Sequence, residues 1–196
     1  MNALIIVDVQ KDFLPGGRLA VADGDTIIPY INELQSRYDI VVATQDWHPG
    51  DHGSFASQHP GHSPFETIVL NGLPQVLWPD HCVQETDGAS FADKLRTDKI
   101  GAIFRKGMDK RIDSYSGFYD NGRLKKTGLS GFLKDMGVDE VHVCGLAADY
   151  CVFFTAMDSL SEGFQTGILL DATKAIDPRQ FESKKQAFLQ RGGQLY

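Results

Sequence analysis

Short apolar runs rich in Val, Ile and Leu recur along the chain, each followed by turn residues and then by helical spacing. Ala3–Val9, Asp39–Thr44, Ile100–Lys106, Glu140–Gly145 and Thr166–Asp171 are of this kind. Runs this short, with little polar alternation, read as strands buried on both faces. Between them, Asp25–Tyr38 carries Ile27, Ile28, Ile31 and Leu34 on one helical stripe, with Asp25 as a candidate cap and Pro29 tolerable only in the first turn. Helical readings also fall on Ala89–Thr97, Gly128–Gly137, the stretch through Cys151, and Pro178–Gly193, while Glu66–Leu70 reads as a short strand that pairs locally. Strands alternating with helices specify βαβ units. The expectation is an α/β fold: three layers, with a doubly wound, mainly parallel sheet and helices on both faces. At 196 residues without repeats or linkers, residues 1–196 are expected to form a single domain.

That topology says where to look for chemistry, because open parallel sheets bind ligands beyond the C-terminal ends of their strands. Four strand ends carry reactive side chains: Asp8 in VDVQKDF, Asp46 and His48 in TQDWHPGDH, Lys106 in FRKG, and Cys151 in CGLAADYC. Asp8 reads equally as a loop cap or as a proton-shuttling carboxylate with a raised pKa. Lys106 reads as a solvated lysine or as a cation that favours a nearby thiolate. Cys151 stands in the first turns of a helix, where unpaired N–H groups acidify a thiol and can hold an oxyanion, or it is one more core cysteine. Cys144, inside a strand, reads as core, and Cys82 as a loop cysteine.

Asp46 and His48 are two residues apart, so an extended chain points both to one face. With a distant histidine they make a two-His-one-carboxylate set suited to Zn²⁺, Fe²⁺ or Mn²⁺. His81 is the best third candidate because Pro79 stiffens its loop, and His52 is the reserve. The alternative is a polar loop whose histidines make local hydrogen bonds. His59 and His62 read as solvated. Phe13, Trp47, Trp78 and Tyr115 lie in loops, where they wall a flat ligand or simply cover the sheet end.

The remaining signals exclude. A formal charge of −7 is the wrong sign for a nucleic-acid surface. No run approaches the roughly 20 apolar residues of a membrane span. MNALIIVDVQKDF lacks the basic start of a signal peptide, and three cysteines at irregular spacing make no disulfide framework. A reducing, cytoplasmic setting is expected.

LIIVDVQKDFLPGG, VATQDWHPGDHGSFAS, VLWPDHCVQ, FRKGMDKRIDSYSGF and VCGLAADYCVFFTAMDS follow one another in the order seen in one family. Over essentially its whole length the chain resembles the nicotinamidases (pyrazinamidases) of the isochorismatase-like cysteine hydrolases. The resemblance implies the isochorismatase-like, Rossmann-like fold and hydrolysis of nicotinamide to nicotinate and ammonia through a cysteine thioester, in NAD salvage. It implies a catalytic triad of Asp8, Lys106 and Cys151, a cis peptide before Ala147, and an oxyanion hole from the N–H groups of Ala147 and Cys151. One divalent metal (Zn²⁺, Fe²⁺ or Mn²⁺) would be held by Asp46, His48 and His81. His52 stands where some members have a further ligand and others do not. Phe13, Trp78 and Tyr115 match the positions around the substrate ring. A small-molecule substrate is implied, with no nucleic-acid or membrane partner, and self-association into a homo-oligomer stays open. The rivals are a hydrolase of another small carboxamide, an isochorismatase-type vinyl-ether hydrolase, which Cys151 and the metal set argue against, and a non-catalytic metal-dependent binder.

Overall fold

A computed structural model of the chain describes residues 1–196. Six strands form the central sheet: β1 (Asn2–Val7), β2 (Ile40–Asp46), β5 (Ala102–Lys106), β6 (Glu140–Leu146), β7 (Gln165–Lys174) and β8 (Gln194–Leu195). Their spatial order is β5-β2-β1-β6-β7-β8, and every pairing is parallel. Strands β3 (Thr67–Leu70) and β4 (Leu73–Val76) form a separate antiparallel hairpin, the local pairing expected of Glu66–Leu70.

Alternation along β1 sorts the core into two layers. Leu4 and Ile6 point to one face, where Ile28, Ile31 and Leu34 of α1 (Ile28–Leu34) and loop residues such as Trp78 and Leu95 cover them. Ala3, Ile5 and Val7 point to the other. There they meet Leu129 and Leu133 of α2 (Leu129–Asp135), Phe153 and Ala156 of α3 (Phe153–Ser161), and Phe181 and Phe188 of α4 (Pro178–Gln190). Burying each large side chain stabilises the fold by about 1.5–3 kcal/mol. No helix is long and apolar enough to cross a membrane.

Two sequence expectations change, and a third feature was not readable at all. The Asp25–Tyr38 helix is a 3₁₀ turn, a short α1 and a second 3₁₀ turn; Asp25 lies inside the first turn rather than capping it, while Pro29 does sit in the first turn of α1. Ala89–Thr97 is not a helix. Its backbone is used across the chain instead: Lys11 N–H donates to Ser90 O at 3.0 Å and Ala92 N–H to Val9 O at 2.9 Å, which ties down the segment leaving β1. The third is β8, a two-residue strand with no sequence signal.

From β1 the sheet grows outward to β2 and β5, and from β6 to β7 and β8. The switch point therefore lies between β1 and β6. Their backbones come unusually close there: a Cβ on Gly145, at φ +108°, would sit 2.1 Å from Val7 O. Only glycine lets the end of β6 lie this tightly beside the end of β1.

Candidate active site

Asp8 follows β1, Asp46 ends β2, Lys106 ends β5 and Cys151 follows β6, so the four strand-end candidates meet at one edge of the sheet. All are buried. The Lys106 ammonium is the hub. It donates to Asp46 Oδ1 at 2.5 Å and to Ser114 O at 2.9 Å, and lies 3.4 Å from Cys151 Sγ. Asp8 Oδ2 is 2.8 Å away in an ion pair, while Oδ1 accepts from Thr44 Oγ at 2.7 Å.

Burial and charge then set the protonation states. Burial raises the Asp8 pKa, and Lys106 only partly opposes it. Burial lowers the Lys106 pKa, but the Asp46 and Asp8 carboxylates more than offset this and hold it well above the ordinary lysine value. Cys151 corrects a sequence expectation. Its thiol is not acidified: burial raises its pKa well above normal, Lys106 opposes, and Asp8 and Asp46 add to the rise. The resting site holds a thiol and beside it a carboxylate more basic than usual.

Cys151 lies in a π-helical turn, Ala148–Val152, closed by Val152 N–H donating to Ala147 O at 3.1 Å. Such turns are rare and concentrate at functional sites. The Leu146–Ala147 peptide is cis, and the Ala147 N–H has no backbone acceptor. Cys144 lies in the core, with its sulfur 3.7 Å from Ile5 O. Cys82 is buried beside His81, its N–H donating to Asp12 Oδ2 at 2.7 Å.

The second oxygen of Asp46 faces a different group: Oδ2 lies 3.6 Å from His48 Nε2 and 3.8 Å from His81 Nε2. Each histidine points Nδ1 at a backbone carbonyl, His48 at Gly107 O (2.9 Å) and His81 at Pro79 O (2.8 Å). A carbonyl only accepts, so Nδ1 carries the proton and Nε2 offers its lone pair. Asp46 is kept ionised against its burial, chiefly by the Lys106 ammonium. One carboxylate and two outward lone pairs fit a divalent cation. Gly107 makes room for this arrangement, because a Cβ there would lie 2.3 Å from His48 Cε1.

His52 is also buried, and its ring centroid is 4.5 Å from that of His48 with the planes tilted by 51°. In one tautomer its Nδ1 accepts from the Ser54 N–H at 3.2 Å, with Ser54 Oγ 2.7 Å away. The neutral ring then carries its proton on Nε2, the nitrogen that has no partner. In the other tautomer Nδ1–H donates to Ser54 Oγ and a lone pair on Nε2 is free, and His52 groups with His48 and Asp113 as possible metal ligands. His59 Nε2 meets Gly53 O at 2.7 Å and His62 pairs with Glu66, both away from the cluster.

Phe13, Trp78 and Tyr115 line a narrow cavity above Asp46, His81, Ala147 and Cys151, as expected. Trp47 does not; its ring stacks under Arg105 at 3.9 Å. Leu19, Asp113, Tyr150 and Ile176 complete the lining and were not anticipated. Tyr150 had a readable signal, being the neighbour of Cys151. Ile176 had none, since it arrives from the loop before α4.

The isochorismatase domain model matches residues 2–195. The chain belongs to the isochorismatase family. Within that family it is 51% identical to the nicotinamidase of Acinetobacter baylyi, over 89% of this chain and 82% of the relative. The solved nicotinamidase–pyrazinamidase of Acinetobacter baumannii superposes with a TM-score of 0.97 at 49% identity, covering 99% of this chain and 94% of that one. The pyrazinamidase of Pyrococcus horikoshii, solved in complex with zinc, gives 0.81 at 38% identity, covering 100% and 98%.

Proposed function

We propose that the protein hydrolyses nicotinamide to nicotinate and ammonia, in NAD salvage in the cytoplasm, with Asp8, Lys106 and Cys151 as its catalytic triad. The observation that carries this reading is the buried contact set in which Lys106 Nζ lies 2.8 Å from Asp8 Oδ2 and 3.4 Å from Cys151 Sγ, with Cys151 lining an aromatic-walled cavity. The kinship to nicotinamidases supports the choice of amide.

Asp8 Oδ2 takes the thiol proton as Cys151 Sγ attacks the carboxamide carbon. The raised Asp8 pKa narrows the gap to the thiol and eases that transfer. The new C–O⁻ is held by the N–H groups of Ala147 and Cys151; one such donor is worth about 10²–10³ in kcat. Asp8 gives its proton to the leaving nitrogen, the C–N bond breaks, and ammonia departs from the thioester. Asp8 then takes a proton from water, hydroxide adds to the thioester carbon, the C–S bond breaks as Asp8 returns the proton to Cys151, and the acid formed gives its proton to solvent as nicotinate. Lys106 stays protonated throughout and offsets each anion in turn.

Asp46, His48 and His81 would hold one Zn²⁺, Fe²⁺ or Mn²⁺, with His52 outside the ligand set. When bound, the metal supplies a Lewis acid for the pyridine nitrogen, directly or through water, and so orients the ring. Phe13, Trp78 and Tyr115 pack against the ring faces. The acidic net charge of −7 and a cavity scaled to a small ligand support a small-molecule substrate and no nucleic-acid partner.

The test is ammonia release from nicotinamide by the metal-loaded protein. Release that matches substrate consumption supports the reading; release from other small amides but not from nicotinamide sinks the substrate assignment.

A further inference from the structure

One buried acidic group at this edge has no part in the chemistry above. Asp149 stands between Ala147 and Cys151 on the π-turn and is fully buried. Burial raises its pKa, so an ionised carboxylate there needs strong partners. Its partners are specific. Oδ1 accepts from the Ile176 N–H at 2.9 Å and Oδ2 from the Asp177 N–H at 2.8 Å. Both donors belong to the loop that leaves β7 and enters α4, and Asp177 in turn caps α4 by accepting from the Arg179 N–H at 2.9 Å.

A second tie comes back from α4. Lys184 donates to the Asp149 carbonyl, and its ammonium lies 4.4 Å from the centre of the Tyr150 ring. The turn that carries the oxyanion donors is thus held from outside by two consecutive N–H groups and one ammonium. Of the residues so tied, Ile176 and Tyr150 are walls of the cavity. The cavity is narrow, so both side chains bear directly on a ring that enters it. Any wall movement at Ile176 pulls on the same carboxylate that fixes the turn.

We propose that Asp149 is a positioning residue that clamps the oxyanion turn to the Ile176 wall, so that it sets transition-state stabilisation rather than ring binding. The inference rests on the assignment of Ala147 and Cys151 as oxyanion donors. It is distinct from the triad, because Asp149 touches neither the sulfur nor the substrate.

Asn in place of Asp149 keeps the shape but turns one acceptor into an NH₂ that faces a backbone N–H. The readout is the ratio of two inhibition constants. Pyridine-3-carboxaldehyde adds the Cys151 thiol and builds an oxyanion, whereas 3-methylpyridine presents the ring with no carbonyl. For Asp149→Asn the aldehyde constant is expected to rise by about 10-fold or more, with a matching fall in kcat, since up to about 10²–10³ rests on each donor. The 3-methylpyridine constant should stay close to that of the unsubstituted protein. Ile176→Ala keeps both N–H donors and should weaken both inhibitors alike, leaving the ratio unchanged. If Asp149→Asn does not fold, Lys184→Met carries the test, because it removes the ammonium from the carbonyl and leaves the carboxylate; the ratio should rise in the same direction. Equal loss of both inhibitors, or no change in either, overturns the clamp. An aldehyde that fails to inhibit the unsubstituted protein overturns the oxyanion assignment itself, and the clamp with it.

Discussion

The two oxygens of Asp46 divide the site into two polar clusters that solve one problem differently. Oδ1 belongs to a cluster whose cation is part of the chain, the Lys106 ammonium between Asp8, Asp46 and Cys151. Oδ2 belongs to a cluster with two imidazole lone pairs and no cation of its own, His48 and His81. A covalent cation is always present, so the first cluster suits steps in which charge appears and vanishes on sulfur and oxygen. A cation recruited from solution leaves coordination positions for a ligand atom, so the second suits orientation. Without that cation Asp46 draws a proton toward His48: burial lowers the His48 pKa, and Asp46 more than reverses it. The comparison assigns chemistry to the lysine side and positioning to the histidine side.

Breaking the lysine side should cost most. Asp8→Asn removes the base and should lower kcat by about 10²–10⁴. Lys106→Met should be as severe, and it also leaves buried carboxylates unpaired, at about 3–5 kcal/mol of stability, visible as a lower Tm. The pH profile follows from the same group. Asp8 works only when ionised and its pKa is raised. Activity should therefore fall as pH drops through a value above the ordinary carboxylate range, measured as the acid limb of kcat/KM. An acid limb at the ordinary value would contradict the burial argument.

The histidine side should break more gently and in a different parameter. Chelation, or His81→Ala, should lower kcat/KM by about 10²-fold, mainly through KM, as expected when a ring is misplaced rather than a bond-making group lost. His52→Gln sharpens the boundary of this cluster. With His52 outside the ligand set, as proposed, metal affinity should weaken by no more than about 10–100-fold, the range for groups behind the ligands. His48→Ala should bind metal far more weakly than that. Cys144→Ala, in the core, should cost about 1 kcal/mol of stability and leave turnover unchanged.

The lysine side was largely legible in the sequence. Asp8 and Lys106 stand at the ends of apolar runs and Cys151 in the turn that follows one, and parallel topology brings such ends together. The protonation state of Cys151 was not legible: a helix start and a nearby lysine argued for an acidic thiol, and burial between two carboxylates reversed the sign. On the histidine side the residue types and the two-residue spacing were readable, but not the role of His52. That depends on which ring nitrogen meets the Ser54 N–H, a matter of loop geometry. The same limit explains Ala89–Thr97. Its helical spacing is real, but its N–H and C=O groups serve Val9 and Lys11 across the chain. Trp47, readable as a wall or as cover, is not a wall, and Ile176 is a wall without a sequence signal. Each sits on an irregular segment whose course is set by tertiary contacts such as the Arg105 stack and the Asp149 carboxylate.

The most direct test of this division is ammonia release from nicotinamide by metal-loaded Cys151→Ala protein, alongside its binding of nicotinamide. Chemistry on the lysine side predicts turnover lower by about 10⁴-fold or more with nicotinamide binding retained. Turnover near that of the unsubstituted protein would contradict it, because the reaction would then be running at the metal and not at the thiol.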